Sequence, residues 1–241
     1  MRRRAGLRRA GRLVGLGGLV LADLAWADER ADARTVLFGS LDAGSSSFVT
    51  VGAKHAVDPV GRDGAVVLGS LGYGGRSEIR GAWEGSPKRV RRHTVKASVV
   101  GGRQWFADWG VVALFVGPEI DFDQREAAKA VGPSPGLRLH GEVWTRPAPT
   151  TLLTLTAIAG SARGDVWTRG SFGVRALGAY LGPEIALYAD RTGYRKWSLG
   201  LHATEWTGWG VSLRLSGGWL YEERERRPGA YGALTLWRDL D

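Results

Sequence analysis

The sequence contains no cysteine. That excludes a disulfide framework and any zinc site built on thiolates. Beyond residue 27 no run of 18 consecutive apolar residues occurs, so no helical membrane span is encoded there. Helical periodicity is nearly absent after Ala33. Only Asp123–Val131 (DQREAAKAV) carries it, which predicts one or two helical turns inside a loop. No G-x-S-x-G, H-E-x-x-H or P-loop is present, and nothing calls for a metal or other cofactor. A nucleic-acid footprint is lacking too. The formal net charge is +9, but Arg2, Arg3, Arg4, Arg8, Arg9 and Arg12 supply six positives before residue 13. Without residues 1–27, 27 basic groups face 23 acidic ones, a net of +4. The cluster Lys88-Arg89-Val90-Arg91-Arg92 lies in a Gly/Pro-rich stretch and reads as a solvated loop.

The opening residues have the form of a secretory signal. An Arg-rich segment precedes an apolar run from Leu13 to Leu24, followed by the small-x-small site Ala25-Trp26-Ala27. The run is shorter than the roughly 20 residues a spanning helix needs, and Asp23 interrupts it. Residues 1–27 are therefore expected to be a signal peptide, and residues 28–241 a single exported domain.

What the chain has in abundance is alternation of period two. In 166–176, Val166, Thr168, Gly170, Phe172 and Val174 alternate with Trp167, Arg169, Ser171, Gly173 and Arg175. The segments 136–145, 196–204 and 209–219 behave alike. Successive side chains of a strand point to opposite faces, so each segment is a strand with one apolar and one polar face. Twelve strands are expected at about 35–42, 46–57, 64–75, 92–103, 109–122, 136–146, 150–160, 166–177, 180–190, 194–205, 209–221 and 229–240. The first three and 150–160 alternate poorly, which leaves ten as the alternative count.

A soluble barrel buries the apolar face, whereas a membrane barrel turns it outward. Full charges in mid-strand beside Gly and Ser favour the second arrangement. So does Trp near strand ends (Trp105, Trp109, Trp206, Trp209, Trp219, Trp237), as expected of aromatic girdles. Short links at 57–64, 103–109, 146–150, 177–180 and 205–209 alternate with longer, charged ones at 76–91, 122–135, 161–165 and 222–229. The fold class predicted is an all-β, antiparallel, up-and-down transmembrane β-barrel. The acids and bases at the longer links, including Arg76 and Glu222, read as a solvated rim. Two echoes, Val116-Gly117-Pro118-Glu119-Ile120 and Leu181-Gly182-Pro183-Glu184-Ile185, predict bulged strands with an inward Glu, because proline cannot donate to a ladder.

The candidate lumen-facing residues are Lys96, Glu119, Asp121, Arg138, His140, Glu142, Arg169, Arg175, Glu184, Lys196, His202 and Arg214. They suit a hydrated, ion-paired interior or a path for a polar solute. Two other readings compete with a non-enzymatic barrel. A lipid-modifying hydrolase of the outer membrane needs His140 or His202 beside a Ser and an acid. A soluble periplasmic ligand-binding barrel needs an apolar interior.

Several segments carry a resemblance: Phe38-Gly39-Ser40-Leu41-Asp42-Ala43, Gly52-Ala53-Lys54, Leu71-Gly72-Tyr73-Gly74, Glu142-Val143-Trp144 with Pro147, Val166-Trp167-Thr168-Arg169, Gly182-Pro183-Glu184 and Tyr231-Gly232. Together they resemble the cellulose biosynthesis protein BcsS family, outer-membrane-type proteins that accompany cellulose synthase genes. The resemblance implies a barrel set in outer-membrane lipid, with cellulose or cellulose synthase complex subunits as partners, serving exopolysaccharide export as a narrow channel or an anchor. It brings no catalytic residues. The chain ends on Leu240-Asp241 rather than on the terminal aromatic that barrel-insertion machinery reads.

Overall fold

In a computed structural model, which describes residues 33–59, 61–82, 85–125, 132–224 and 226–240, the chain forms twelve antiparallel strands. They are β1 (Thr35–Ala43), β2 (Ser46–Ala56), β3 (Gly64–Ala82), β4 (Gly85–Ala107), β5 (Gly110–Arg125), β6 (Ser134–Thr145), β7 (Thr151–Gly160), β8 (Asp165–Ala176), β9 (Ala179–Asp190), β10 (Arg195–Gly208), β11 (Val211–Glu222) and β12 (Arg227–Leu240). Each strand pairs with the next. β1 then pairs with β12, from Thr35 opposite Leu240 to Ala43 opposite Gly232, and closes the barrel. Closure leaves no free edge, the condition for a sheet in hydrocarbon. The twelve-strand arrangement agrees with the sequence, and the ten-strand alternative fails. The signal-peptide segment 1–27 lies outside the described residues.

Side-chain parity sets the two faces. Leu137 and Leu139 on β6, Leu199 and Leu201 on β10, and Leu215 on β11 point outward and are more than half exposed. Their neighbours in sequence, among them His140, His202, Arg214 and Ser216, point inward and are buried. A polar interior beneath an apolar surface is the polarity of a transmembrane barrel. It is the reverse of what a soluble ligand-binding barrel requires. Buried apolar side chains cluster in one patch on β2–β5, Ala56, Val66, Leu68, Val100, Ala113 and Phe115, while Leu152 on β7 and Leu220 on β11 are buried separately.

Two hairpins close with two-residue turns in which both residues have positive φ. These are Leu177-Gly178 (53° and 80°) and Trp209-Gly210 (51° and 73°). Such turns match the twist of the flanking strands, and glycine relieves the second position.

Five expectations need correction. The segment 76–91 is strand, not loop: β3 and β4 continue from Ser77 opposite Arg91 to Ala82 opposite Gly85. There they have lost their outer neighbours, since β2 pairing stops at Arg76 and β5 pairing at Arg92. A two-stranded ribbon about 20 Å long thus runs past the rim. Second, Asp123–Arg125 belong to β5 rather than to a helical turn, and 126–131 lie outside the described residues. Third, the turn placed at 205–209 is a bulge at Glu205, φ 62°, with the reversal at Trp209-Gly210.

Fourth, neither Gly-Pro-Glu strand is bulged. Glu119 opposite Ser98 and Val116 opposite Gly101 keep one register, as do Glu184 opposite Ser171 and Leu181 opposite Val174. The ladder only skips the pairs around each proline. Fifth, link length does not alternate cleanly. The links 161–164 and 223–226 hold four residues, while 57–63, on the rim that carries the termini, holds seven.

Candidate functional site

The barrel encloses a cavity of about 1270 Å³. Its lining runs from Val36, Arg146 and Asp239 at the terminus-side rim to Ser46, Arg76 and Tyr194 at the loop-side rim.

The loop-side half is ionic. Lys96 reaches Asp165 on the facing wall at 2.6 Å and Asp121 on the adjacent strand at 3.3 Å. Arg92 grips Asp123 at 2.5 Å, and Thr94 donates to the same carboxylate at 2.7 Å. Arg163, from the 161–164 turn, leans in among Asp121, Asp123 and Asp190 at 3.6–3.9 Å. Arg76 on β3 meets Asp190 on β9, six strands away around the ring, at 3.7 Å. Its guanidinium also lies 4.3 Å from the centre of the Tyr194 ring. In the 191–194 turn, Tyr194 donates to Glu222, which also accepts from Ser45. Burial, reinforced by the Glu222 carboxylate, pushes the Tyr194 hydroxyl far above the ordinary phenol range, so it stays a donor.

At mid-barrel Glu184 is the hub. It is 1% exposed and accepts from Arg214, from Ser216 at 2.9 Å and from Tyr231 at 3.3 Å. Arg169 stands 3.7 Å from it and crosses the lumen to donate to Asp42 on β1 at 2.6 Å. Lys54 on β2 likewise crosses to Glu142 on β6 at 3.3 Å. Such bridges hold opposite walls together and narrow the interior.

Aromatic side chains line the terminus-side half, as Phe48, Trp167, Tyr188 and Tyr194 line the loop-side half. Phe38, Phe106, Trp144, Tyr180 and Trp237 all line the cavity there. Trp144 on β6 and Trp237 on β12 stand six strands apart in the ring of twelve, yet their rings meet edge to face, 5.9 Å between centres at 72°. Around them sit two ion pairs, Lys54–Glu142 and Arg146–Glu205, the latter at 2.7 Å.

Of the twelve residues singled out in the sequence, Lys96, Arg138, His140, Glu142, Arg169, Arg175, Lys196 and Arg214 line the cavity. Glu119, Asp121, Glu184 and His202 are buried in the wall behind it. Glu119 accepts the Ala162 amide at 3.0 Å, and Lys196 donates to Ser46 at 3.2 Å. Arg175 lies at the mouth, 5.8 Å from the centre of the Tyr180 ring. His202 pairs with Thr204 at 2.7 Å and with the Phe172 carbonyl at 3.2 Å. His140 has Glu142 at 3.1 Å and tilts against Phe115.

Three further expectations are corrected. Trp237 belongs to the lumen rather than to a girdle, because its partner in register is the inward-facing Phe38. Arg92 is buried against Asp123, not solvated in a loop, since β4 carries it inside the barrel. Glu222 and Arg76 are not solvated rim residues either: both are held by partners from other strands. The reading of the sequence had missed Asp42, Lys54, Asp123, Trp144, Arg163 and Asp165. Inward parity on their strands would have found most of them. Arg163 sits in a turn and gives no such signal.

A closed antiparallel sheet with an ion-paired interior and an apolar exterior defines a transmembrane β-barrel. The chain belongs to the family described as cellulose biosynthesis protein BcsS, which it matches over residues 36–240. No curated protein matches the sequence. Among solved structures, the chain is similar to the KdgM porin in complex with disordered oligogalacturonate, at 10% identity and TM-score 0.43, covering 86% of this chain and 99% of that one. It is also similar to the translocator domain of the autotransporter NalP from Neisseria meningitidis, at 14% identity and TM-score 0.47, covering 92% and 97%.

Proposed function

We propose that this protein is a non-enzymatic outer-membrane barrel that supports the export or anchoring of cellulose, with other subunits of the cellulose synthase complex as partners. The observation that carries the reading is the cavity between the two rims of a lipid-facing barrel, in a chain of the cellulose biosynthesis family. The N-terminal signal sequence supports export. The even strand number puts both termini on one side, which in this reading is the periplasm. The ribbon of β3 and β4 then projects outside the cell. The cross-barrel bridges make any passage narrow, so the barrel admits a single extended chain rather than acting as a general pore.

Deleting the gene in a cellulose-producing strain tests this. The expected result is less extracellular cellulose, measured by dye binding, with recovery on complementation. Unchanged extracellular cellulose would refute the cellulose part of the reading.

A further inference from the structure

The lumen is not uniform along its axis, and the difference has a chemical meaning. Aromatic rings line both halves, but charges crowd the loop-side half, and at the terminus-side half two lining indoles meet across the lumen. Trp144 and Trp237 approach from opposite walls, and their edge-to-face contact covers only one of their four ring faces. Both also line the cavity and are half-buried, so part of each ring is open to a guest. Phe38, opposite Trp237 in the ladder, extends the apolar surface beside them. Of the nearby charges, Lys54 is paired with Glu142 and Arg146 with Glu205, while Arg175 lies over the Tyr180 ring, so the indoles are bordered by hydrogen-bonding groups. Aromatic faces bordered by polar groups suit a guest with apolar faces and hydroxyl edges.

We propose that the terminus-side mouth is a binding site for an uncharged β-linked pyranoside chain, with Trp144 and Trp237 stacking on its two faces. This rests on the glucan reading above. A β-1,4-linked chain is a flat ribbon: its C–H-rich faces match rings on opposite walls, and its hydroxyl edges reach Lys54, Glu142, Arg146 and Glu205. Entry of the chain separates the two indoles, turns their planes from 72° toward parallel, and replaces their mutual contact with two ring–sugar contacts.

The test is calorimetric titration of the purified full-length barrel in detergent with cellohexaose, with α-linked maltohexaose as the control for linkage. Trp144→Ala and Trp237→Ala are expected to weaken cellohexaose binding roughly tenfold or more, as removal of a buried Trp anchor does. Trp197→Ala, on the lipid-facing surface, is expected to leave it unchanged. Trp144→Leu and Trp237→Leu keep apolar bulk without a ring face, and they serve if alanine prevents folding. Wild-type affinity in folded variants at both positions overturns the site even if deletion of the gene still lowers cellulose export. Absence of cellohexaose binding by the wild type also overturns it. The export reading itself falls only on the deletion result.

Discussion

Glu184 shows how one side chain organises the interior. Three donors converge on a carboxylate with almost no exposure, and two of its neighbours, Arg169 and Arg214, are guanidinium groups. Glu184→Gln would leave Arg214 without its counter-charge and Arg169 with Asp42 alone. Breaking a buried pair is far more costly than never having had one, because the surviving charge stays desolvated. The variant is expected to lose about 2–3 kcal/mol, at or below the low end for buried pairs because Arg169 keeps its bond to Asp42. Urea unfolding in detergent reads this as a lower midpoint with an unchanged slope. An unshifted midpoint would mean that the hub is solvated and contributes little.

Elements are governed by parity and by where backbones approach. The two Gly-Pro-Glu segments make the second point. A Cβ at Gly117 would lie 2.3 Å from the Val99 carbonyl oxygen, and one at Gly182 would lie 2.0 Å from that of Phe172. Each glycine lets the adjacent strand come close where the proline has interrupted the ladder. Gly182→Ala is therefore expected to impair assembly, seen as loss of the folded, fast-migrating gel species. Gly69→Ala, where an added Cβ meets nothing within 4 Å, is expected to fold as the wild type does. Equal behaviour of the two variants would contradict this account of the motif.

The strands that cross the membrane were legible in the sequence because hydrocarbon on one side and water on the other force strict alternation. The outer parts of β3 and β4 were not, since Gly, Pro and charge there suggest a loop and no period of two marks the strands. Inward parity of Arg169 and Arg214 can be read along one strand. Their partners cannot: Asp42 lies 127 residues from Arg169 and meets it only after the ring closes. The meeting of Trp144 and Trp237 across the full width is hidden for the same reason.

At the scale of the whole molecule, the cross-barrel bridges tie opposite walls together along the axis: Arg76 to Asp190, Arg169 to Asp42, Lys54 to Glu142 and Trp144 to Trp237. Cutting one at mid-barrel should widen the path. Arg169→Ala is expected to raise single-channel conductance in planar bilayers above that of the wild type, and identical conductance would show that the bridge does not limit the passage. The broader claim is that this chain lives as a closed barrel in the outer membrane. Gel mobility of the fractionated cell envelope, unboiled against boiled, tests it most directly. The account predicts a heat-modifiable species confined to the outer-membrane fraction. Recovery in the soluble fraction without detergent, with one mobility before and after boiling, would contradict it.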